Sequence, residues 1–461
     1  MNCNIVGDGN KLVLKKGASL GVLNGEMSGV VIETSGTPVF TTLAGTLSDV
    51  TVNVNANAVA GTDSAFIALT NYGVLDNVTL NVSGKLSAVE DKGSTADELV
   101  FGGMVMNNSF SYNFFLQRVY GTIQNCTVNY SDFTLSGAVA ANASFGGIAG
   151  VNSGIVKDCT VTGAITADTF DLAGACYTNR NLLSGIVNEA NLKQTAESED
   201  WTPIVGGIAI ENSSQVERCT NNGNIAVEGS DIVIGGGIVA RTTGQNSYCI
   251  STGDISAKGQ GAYVGGIFGR SEVTSSNMYV YCGHASYCLS TGRITATLGE
   301  STACVGGIGG LVLEGAFTQY KYDEDGSPMT GEDGKYLTEV VYFGGGINNC
   351  IFMGTIVANT GNVGGILGVC GADVYEQNSY TSDGVEYANF EGNYYLESAG
   401  SSLPPFGAVV TMEEEFIVVE GKGSTSATEE QIKNTETYRK IMGEDTEDEN
   451  DKTNTDDKEE L

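Results

Sequence analysis

The chain has 461 residues and a formal net charge of −33, with 22 Lys and Arg against 55 Asp and Glu. A phosphate backbone is bound through clustered Lys and Arg, so this balance excludes a nucleic-acid partner and speaks for solubility and self-repulsion. No apolar run reaches the ~18 to 20 residues needed to cross a bilayer, so no membrane insertion is expected.

The 64 glycines, with only 5 prolines and 16 Phe, indicate many tight turns between short strands. The start, Met1-Asn-Cys-Asn-Ile-Val-Gly7, lacks the basic and apolar regions of a signal peptide. Two readings follow: the chain is intracellular, or its numbering begins after a removed leader or inside a larger gene product. Residues 1–63 carry degenerate copies of a unit that becomes clear downstream. Gly25-Glu-Met27-Ser-Gly-Val30, Gly45-Thr-Leu47-Ser-Asp-Val50 and Gly73-Val-Leu75-Asp-Asn-Val78 match Gly121-Thr-Ile123-Gln-Asn-Cys126 and Gly154-Ile-Val156-Lys-Asp-Cys159. Cys159, Cys219, Cys249, Cys288 and Cys350 are each followed by glycine (Gly163, Gly223, Gly253, Gly292, Gly354) and then, two residues on, by isoleucine (Ile165, Ile225, Ile255, Ile294, Ile356).

Aligned positions 30, 50, 78, 126, 159, 219, 249, 288, 350 and 394 recur at the spacing of a stacked-repeat architecture, in which each unit buries its apolar face against its neighbours. Each unit alternates apolar with polar residues for a few positions and then breaks at Asn, Ser or Gly, which is strand followed by turn. The predicted fold is all-β: a right-handed parallel β-helix (β-solenoid) of about ten coils, with handedness taken from the crossover rule. Three strands per coil are expected, for example Val205-Gly-Gly-Ile-Ala-Ile210, Gln215-Val-Glu-Arg-Cys219 and Asn224-Ile-Ala-Val227. The pairs Gly146-Gly147, Gly206-Gly207, Gly265-Gly266, Gly306-Gly307 and Gly364-Gly365 are predicted to form one corner, with Ile148, Ile208, Ile238, Ile267, Ile308 and Ile366 pointing inward after it.

The repeats run over 64–400 and are interrupted at 168–204, 271–284 and 312–345. The first interruption holds the only tryptophan, Trp201, and a stretch from Leu182 that suits a short helix. The second holds Met278-Tyr-Val-Tyr-Cys-Gly-His284. The third reads as a hairpin, Gln319–Tyr322 against Tyr336–Tyr342, with a turn at Asp325-Gly326. Residues 401–442 carry a last strand and a short helix opened by a capping box, Ser426-Ala-Thr-Glu429. The remainder, 443–461, is an acidic tail expected to be disordered.

Gly147-Ile-Ala-Gly150, with Gly266-Ile-Phe-Gly269, Gly307-Ile-Gly-Gly310 and Gly365-Ile-Leu-Gly368, resembles the Gly-Leu-apolar-Gly core of the GLUG repeat of large bacterial surface proteins. The ending, Gly392-Asn-Tyr-Tyr-Leu396 followed by Thr428-Glu-Glu-Gln-Ile-Lys-Asn434, is similar to the closing strand and helix that follow such repeats. The resemblance covers about residues 20–440. It implies an adhesin or a non-catalytic region of a larger exported protein, such as an immunoglobulin A protease. The chain departs from the family in using isoleucine for the usual leucine and an acidic tail for the usual aromatic and proline residues.

The chemistry-bearing residues point the same way. Cys126, Cys159, Cys219, Cys249, Cys288 and Cys350 occupy a column filled upstream by Val30, Val50 and Val78, so they are expected to be a structural ladder of buried thiols. No Cys-x-x-Cys pair exists, so no metal site is expected. His284, the only histidine, is expected to be a loop residue and leaves a single candidate for any His-dependent catalysis. The acids Asp323, Glu324, Asp325, Glu332 and Asp333 cluster in the third interruption, where Asp-Gly steps make turns. No catalytic residue and no cofactor are expected. Tyr279, Tyr281, Tyr287, Tyr320, Tyr322, Tyr336 and Tyr342 gather in or beside two interruptions and are the expected binding surface for a host or microbial surface glycan or protein, since tyrosine offers flat amphipathic area. The expected function is a non-enzymatic adhesion module, secreted or at the cell surface. The alternatives are a carbohydrate-active β-helix enzyme (polysaccharide lyase or glycosidase) and a passive spacer.

Overall fold

A computed structural model describes residues 4–444 apart from 61, 90–97, 139–141, 197–200, 277–278, 300–302, 324–326, 332–333, 373–389, 401–402 and 411–422. The predicted acidic tail, beyond Glu444, and the predicted turn at Asp325-Gly326 lie outside the described residues.

The chain is a parallel β-helix. One coil shows the unit: Ile204–Gly206, Ala209–Asn212, Gln215–Glu217, Thr220–Asn221 and Ile225–Glu228 each pair in parallel with the equivalent segment of the next coil. These segments build four stacked sheets, named here first to fourth in chain order, with the last two segments both in the fourth. The first three contain 9, 13 and 11 strands. In upstream coils the fourth sheet is a single long strand, as at Thr79–Val89 and Thr127–Ala138; downstream it divides around Gly223 and its equivalents. Eleven strands at ~4.8 Å spacing make a rod of roughly 50 Å.

Three expectations about the coil need correction. The predicted strand from Val205 to Ile210 is broken by a bend at Gly207-Ile208, and Thr220–Asn221 adds a segment, so a coil holds five short segments rather than three. The stretch from Phe170 to Thr195 is not an insertion: Phe170–Ala173, Cys176–Asn179, Leu182–Ser184, Val187–Asn188 and Asn191–Thr195 form a regular coil in register on both sides, with no helix among the described residues there. Ile186 fills the cysteine column there, and the substitution hid the copy. At the C-terminus Ile351 pairs with Tyr394, so Asn393 rather than Tyr394 follows Cys350 in the column.

The glycine columns have a steric cause. A Cβ on Gly206 would lie 1.8 Å from the Ala209 carbonyl oxygen across its own turn, and one on Gly207 would lie 2.0 Å from the Gly237 carbonyl oxygen of the next coil. Any side chain would force the coils apart. The isoleucines after this corner are completely buried, as are most of the Ile165, Leu192, Ile225, Ile255, Ile294, Ile356 series in the fourth sheet. Each stabilises the rod by about 1.5–3 kcal/mol through burial.

The chain closes with Ser424–Ala427, which pairs with Asn393–Leu396, and two helices, α1 (Glu429–Lys433) and α2 (Glu436–Met442). The capping box is present two residues later than predicted. Thr428 caps α1 with Gln431 reaching back, because Ser426 is committed to the strand. Ile432 and Ile441 lie against Leu289 and Ile351 on the outer face of the fourth sheet. That outer column is Thr51, Thr79, Thr127 and Thr160 upstream and turns apolar at Ile250, Leu289 and Ile351, under the helices.

Candidate binding surface and the buried ladders

From Val30 onward every corner between the third and fourth sheets is made the same way. The residue before the cysteine column is left-handed: Asn125, Asp158, Arg218, Tyr248, Tyr287 and Asn349 have φ of 50 to 54°, and Gly29, Gly185 and Gly392 stand at equivalent places. The next side chain is thereby turned inward. Cys126, Cys159, Cys219, Cys249, Cys288 and Cys350 are all buried free thiols. Each points its Sγ at the carbonyl two residues back, from 3.0 Å at Cys126 to 3.4 Å at Cys288. Burial pushes the Cys249 and Cys350 thiols well above the ordinary range, and it pushes Cys304, elsewhere in the rod, up to about 12. Protonated thiols of this kind are poor nucleophiles and poor metal ligands. Among the described residues no group of three or more His, Cys, Asp or Glu is placed to hold a metal.

A second inward ladder went unpredicted. At the corner between the second and third sheets, Asn71, Asn108, Asn152, Asn179 and Asn212 are stacked and buried. Each donates its side-chain amide to the Oδ1 of the next, at 2.8, 2.8, 2.9 and 2.9 Å. The signal was available: Asn71, Asn152, Asn179 and Asn212 each stand seven residues before Val78, Cys159, Ile186 and Cys219. The next occupants of the column are Thr242 and Ser271.

The same corner emits the hairpins. Val273–Ser276 pairs antiparallel with Tyr279–Cys282, and Gly309–Tyr320 pairs antiparallel with Thr338–Gly344. Both leave between the second and third sheets in consecutive coils, since Phe268–Ser271 pairs with the start of Gly309–Tyr320 and His284–Ser286 pairs with Gly346–Asn348. The larger hairpin is more than the predicted simple one. Beyond Tyr320 its tip folds back twice, with bridges between Tyr322 and Pro328 and between Thr330 and Tyr336.

The tyrosines divide accordingly. Tyr281, Tyr320, Tyr322 and Tyr336 are exposed on the two hairpins, with the rings of Tyr320 and Tyr336 5.1 Å apart. Tyr279 and Tyr342 lie on hairpin strands by backbone pairing, and their side chains lie outside those described. Tyr287 does not join this surface. It is a left-handed residue at the other corner, stacked on Tyr248 at 5.1 Å and 4°, with Lys440 of α2 5.8 Å from its ring. Its role is to seat the closing helix. His284 is also misplaced by the sequence reading: it is a buried residue within a strand of the third sheet, not in a loop.

Sequence reasoning missed a third hairpin at the same corner, five coils upstream. Phe110–Tyr112 pairs with Arg118–Tyr120, Asn113 accepts from the backbone amides of Phe115 and Gln117, and the Arg118 guanidinium lies 4.6 Å from the Phe110 ring centroid. Its tip is bare: Phe114, Phe115 and Leu116 are 94%, 77% and 81% exposed. Three adjacent large apolar side chains this exposed are unusual on a protein surface. The signal for it was the run Phe114-Phe-Leu116 inside an oversized gap between Val78 and Cys126.

Among the described residues no helix is long and apolar enough to cross a membrane. No family model, curated protein or solved structure matches this chain.

Proposed function

We propose that this chain is a non-enzymatic adhesion module, a GLUG-type rod secreted or held at a bacterial surface, which contacts a surface glycan or protein through its hairpins. The observation that carries the reading is the common origin of the three hairpins. They leave one edge of the rod, with tyrosines on two and Phe114, Phe115 and Leu116 on the third. The inward side chains of the coils are committed elsewhere: they form the buried ladders, and their thiols are sealed. Aromatic side chains on short rigid hairpins offer contact area at little cost in side-chain entropy.

The test sets the intact chain against an array of glycans and host matrix proteins, alongside depolymerisation assays on neutral and acidic polysaccharides with and without calcium. Capture on the array without depolymerisation is expected. Cleavage of any polysaccharide would make the chain an enzyme, and a blank array would leave it a spacer.

A further inference from the structure

We propose a second binding site, distinct from the hairpins: a groove along the outer face of the fourth sheet that holds a linear, neutral polysaccharide on a ladder of asparagine amides. A concavity of about 780 Å³ runs across the upstream coils, from Val13 to Ser131. One outward column in it reads Val13, Glu33, Asn53, Asn81, Asn129, in register through successive coils and continued by Thr162.

The hydrogen bonds within this column decide what it has left to offer. Asn81 donates to Asn53 Oδ1 at 2.8 Å, Asn129 donates to Asn81 Oδ1 at 2.7 Å, and Thr162 donates to Asn129 Oδ1 at 2.8 Å. A side-chain amide has two N–H donors and two lone pairs, so the ladder fixes the orientation of each group and leaves a donor and acceptor capacity unspent. Unlike the buried ladder at the second corner, these amides are half-exposed and reach solvent. Preoriented groups that both donate and accept match sugar hydroxyls, which do the same. Asn55, Ser83 and Ser131 form a second polar column beside the first, and exposed Val13 supplies an apolar shoulder for sugar C–H faces.

Charge selects the ligand further. In a chain of net charge −33, the groove lining carries only two charged residues, Lys16 and Glu33, and Glu33 is ion-paired with Lys11 just outside it, so no cluster of cations lines the groove. An anionic polymer would gain nothing there and would meet the repulsion of the whole rod, whereas a neutral one meets neither penalty. The polymer is favoured over a single sugar because the same amide recurs at the ~4.8 Å coil spacing, close to the length of one sugar residue in an extended chain. The downstream stretch of this sheet does not offer the same site. The outer column there is covered by α1 and α2, and the side-chain oxygens of Asn191, Asn224 and Asp254 already accept from backbone amides of the next coil.

The test is affinity electrophoresis of the full chain in gels containing hydroxyethylcellulose, xylan or glucomannan, with alginate as the acidic comparison. Ser83→Trp fills the groove from an outward position, and Ser131→Trp does so from its exposed rim. A chain with Thr318 to Tyr342 replaced by a glycine linker reports on the hairpins separately. Retardation in at least one neutral gel is expected, with at least a tenfold weaker apparent affinity in both tryptophan variants and no change in the hairpin-deleted chain. The proposal is overturned if no neutral polysaccharide retards the chain, if alginate retards it equally, if neither tryptophan variant weakens retardation, or if the hairpin deletion abolishes it.

Discussion

Replacing Asn152 by alanine tests whether buried amide ladders hold the coils in register. Asn152 is fully buried and makes four hydrogen bonds. It accepts from Asn108 at 2.8 Å and from the Gly154 amide at 3.2 Å, and it donates to Asn179 Oδ1 at 2.9 Å and to the Leu182 carbonyl at 3.0 Å. Two of these bonds reach into the following coil and one into the preceding one, so the substitution unpairs groups on both sides where water cannot replace the amide. At a net ~1 kcal/mol per bond, with extra cost for polar groups left buried and unpaired, the loss is ~3–5 kcal/mol. The control is Asn129→Ala in the half-exposed ladder of the fourth sheet. Its bonds to Asn81 and from Thr162 are as short, yet solvent can take the amide's place, so the loss should stay below ~1 kcal/mol. Asn152→Thr should fall between, because Thr242 in this column both accepts from the Gly244 amide and donates to the Gly244 carbonyl. Urea unfolding followed by far-UV circular dichroism measures all three, with the earliest transition taken as the readout because coils touch only their neighbours. Equal destabilisation by Asn152→Ala and Asn129→Ala would refute the claim that burial makes this ladder structural.

Cys219→Val should be nearly neutral, since Val30, Val50, Val78 and Ile186 fill the same column, while Cys219→Ser should cost ~1–3 kcal/mol for a buried hydroxyl; equal melting temperatures would contradict the packing role. Gln194 is fully buried in the fourth sheet, with neither its Oε1 nor its Nε2 hydrogen-bonded among the described residues. Because Val227 stands beside it in register, Gln194→Val should raise stability by ~1–3 kcal/mol in thermal melts, and a lower melting temperature would show that the amide has a partner. The raised thiols of Cys249, Cys350 and Cys304 set a pH dependence. A folded-state pKa above the unfolded one gives stability that is fully present below the unfolded thiol value of ~8.5 and is lost as pH rises beyond it. Urea midpoints should therefore fall from about pH 8.5 upward, and the fall should be shallower in a Cys249→Val, Cys350→Val chain; a flat profile to pH 10 would contradict it.

The fold was legible because its constraints recur once per coil. The glycine pairs mark a bend where a Cβ would strike a carbonyl, and the isoleucines after them mark the interior. The coil at 170–195 was not legible, because Ile186 meets the column's packing demand as well as cysteine does while breaking its identity. The asparagine ladder was overlooked for the converse reason. Buried polar residues carry no hydropathy signal, and only their fixed distance from the cysteine column betrays them. Of the site, the two downstream hairpins could be read from the break in period, and the period also implies their shared corner. Tyr287 could not be separated from its neighbours, since its left-handed conformation follows from the corner and not from its own residue type. The Phe114-Phe-Leu116 tip lies between Val78 and Cys126, where the column changes from valine to cysteine and no regular period stands out for an insertion to break.

The most direct test of the division between a structural rod and binding hairpins is a paired measurement on the intact chain and on a chain in which Thr318 to Tyr342 is replaced by a short glycine linker. Unfolding midpoints and capture on the same glycan and matrix-protein array are recorded for both. The linker should leave the midpoint unchanged, because Gly309–Val312 and Gly346–Asn348 keep their pairing in the second and third sheets, and it should abolish the intact chain's capture of matrix proteins and of every glycan other than the neutral linear polysaccharides assigned to the fourth-sheet groove. Capture of those hairpin ligands that survives the deletion, or a rod that unfolds without the hairpin, would contradict the account.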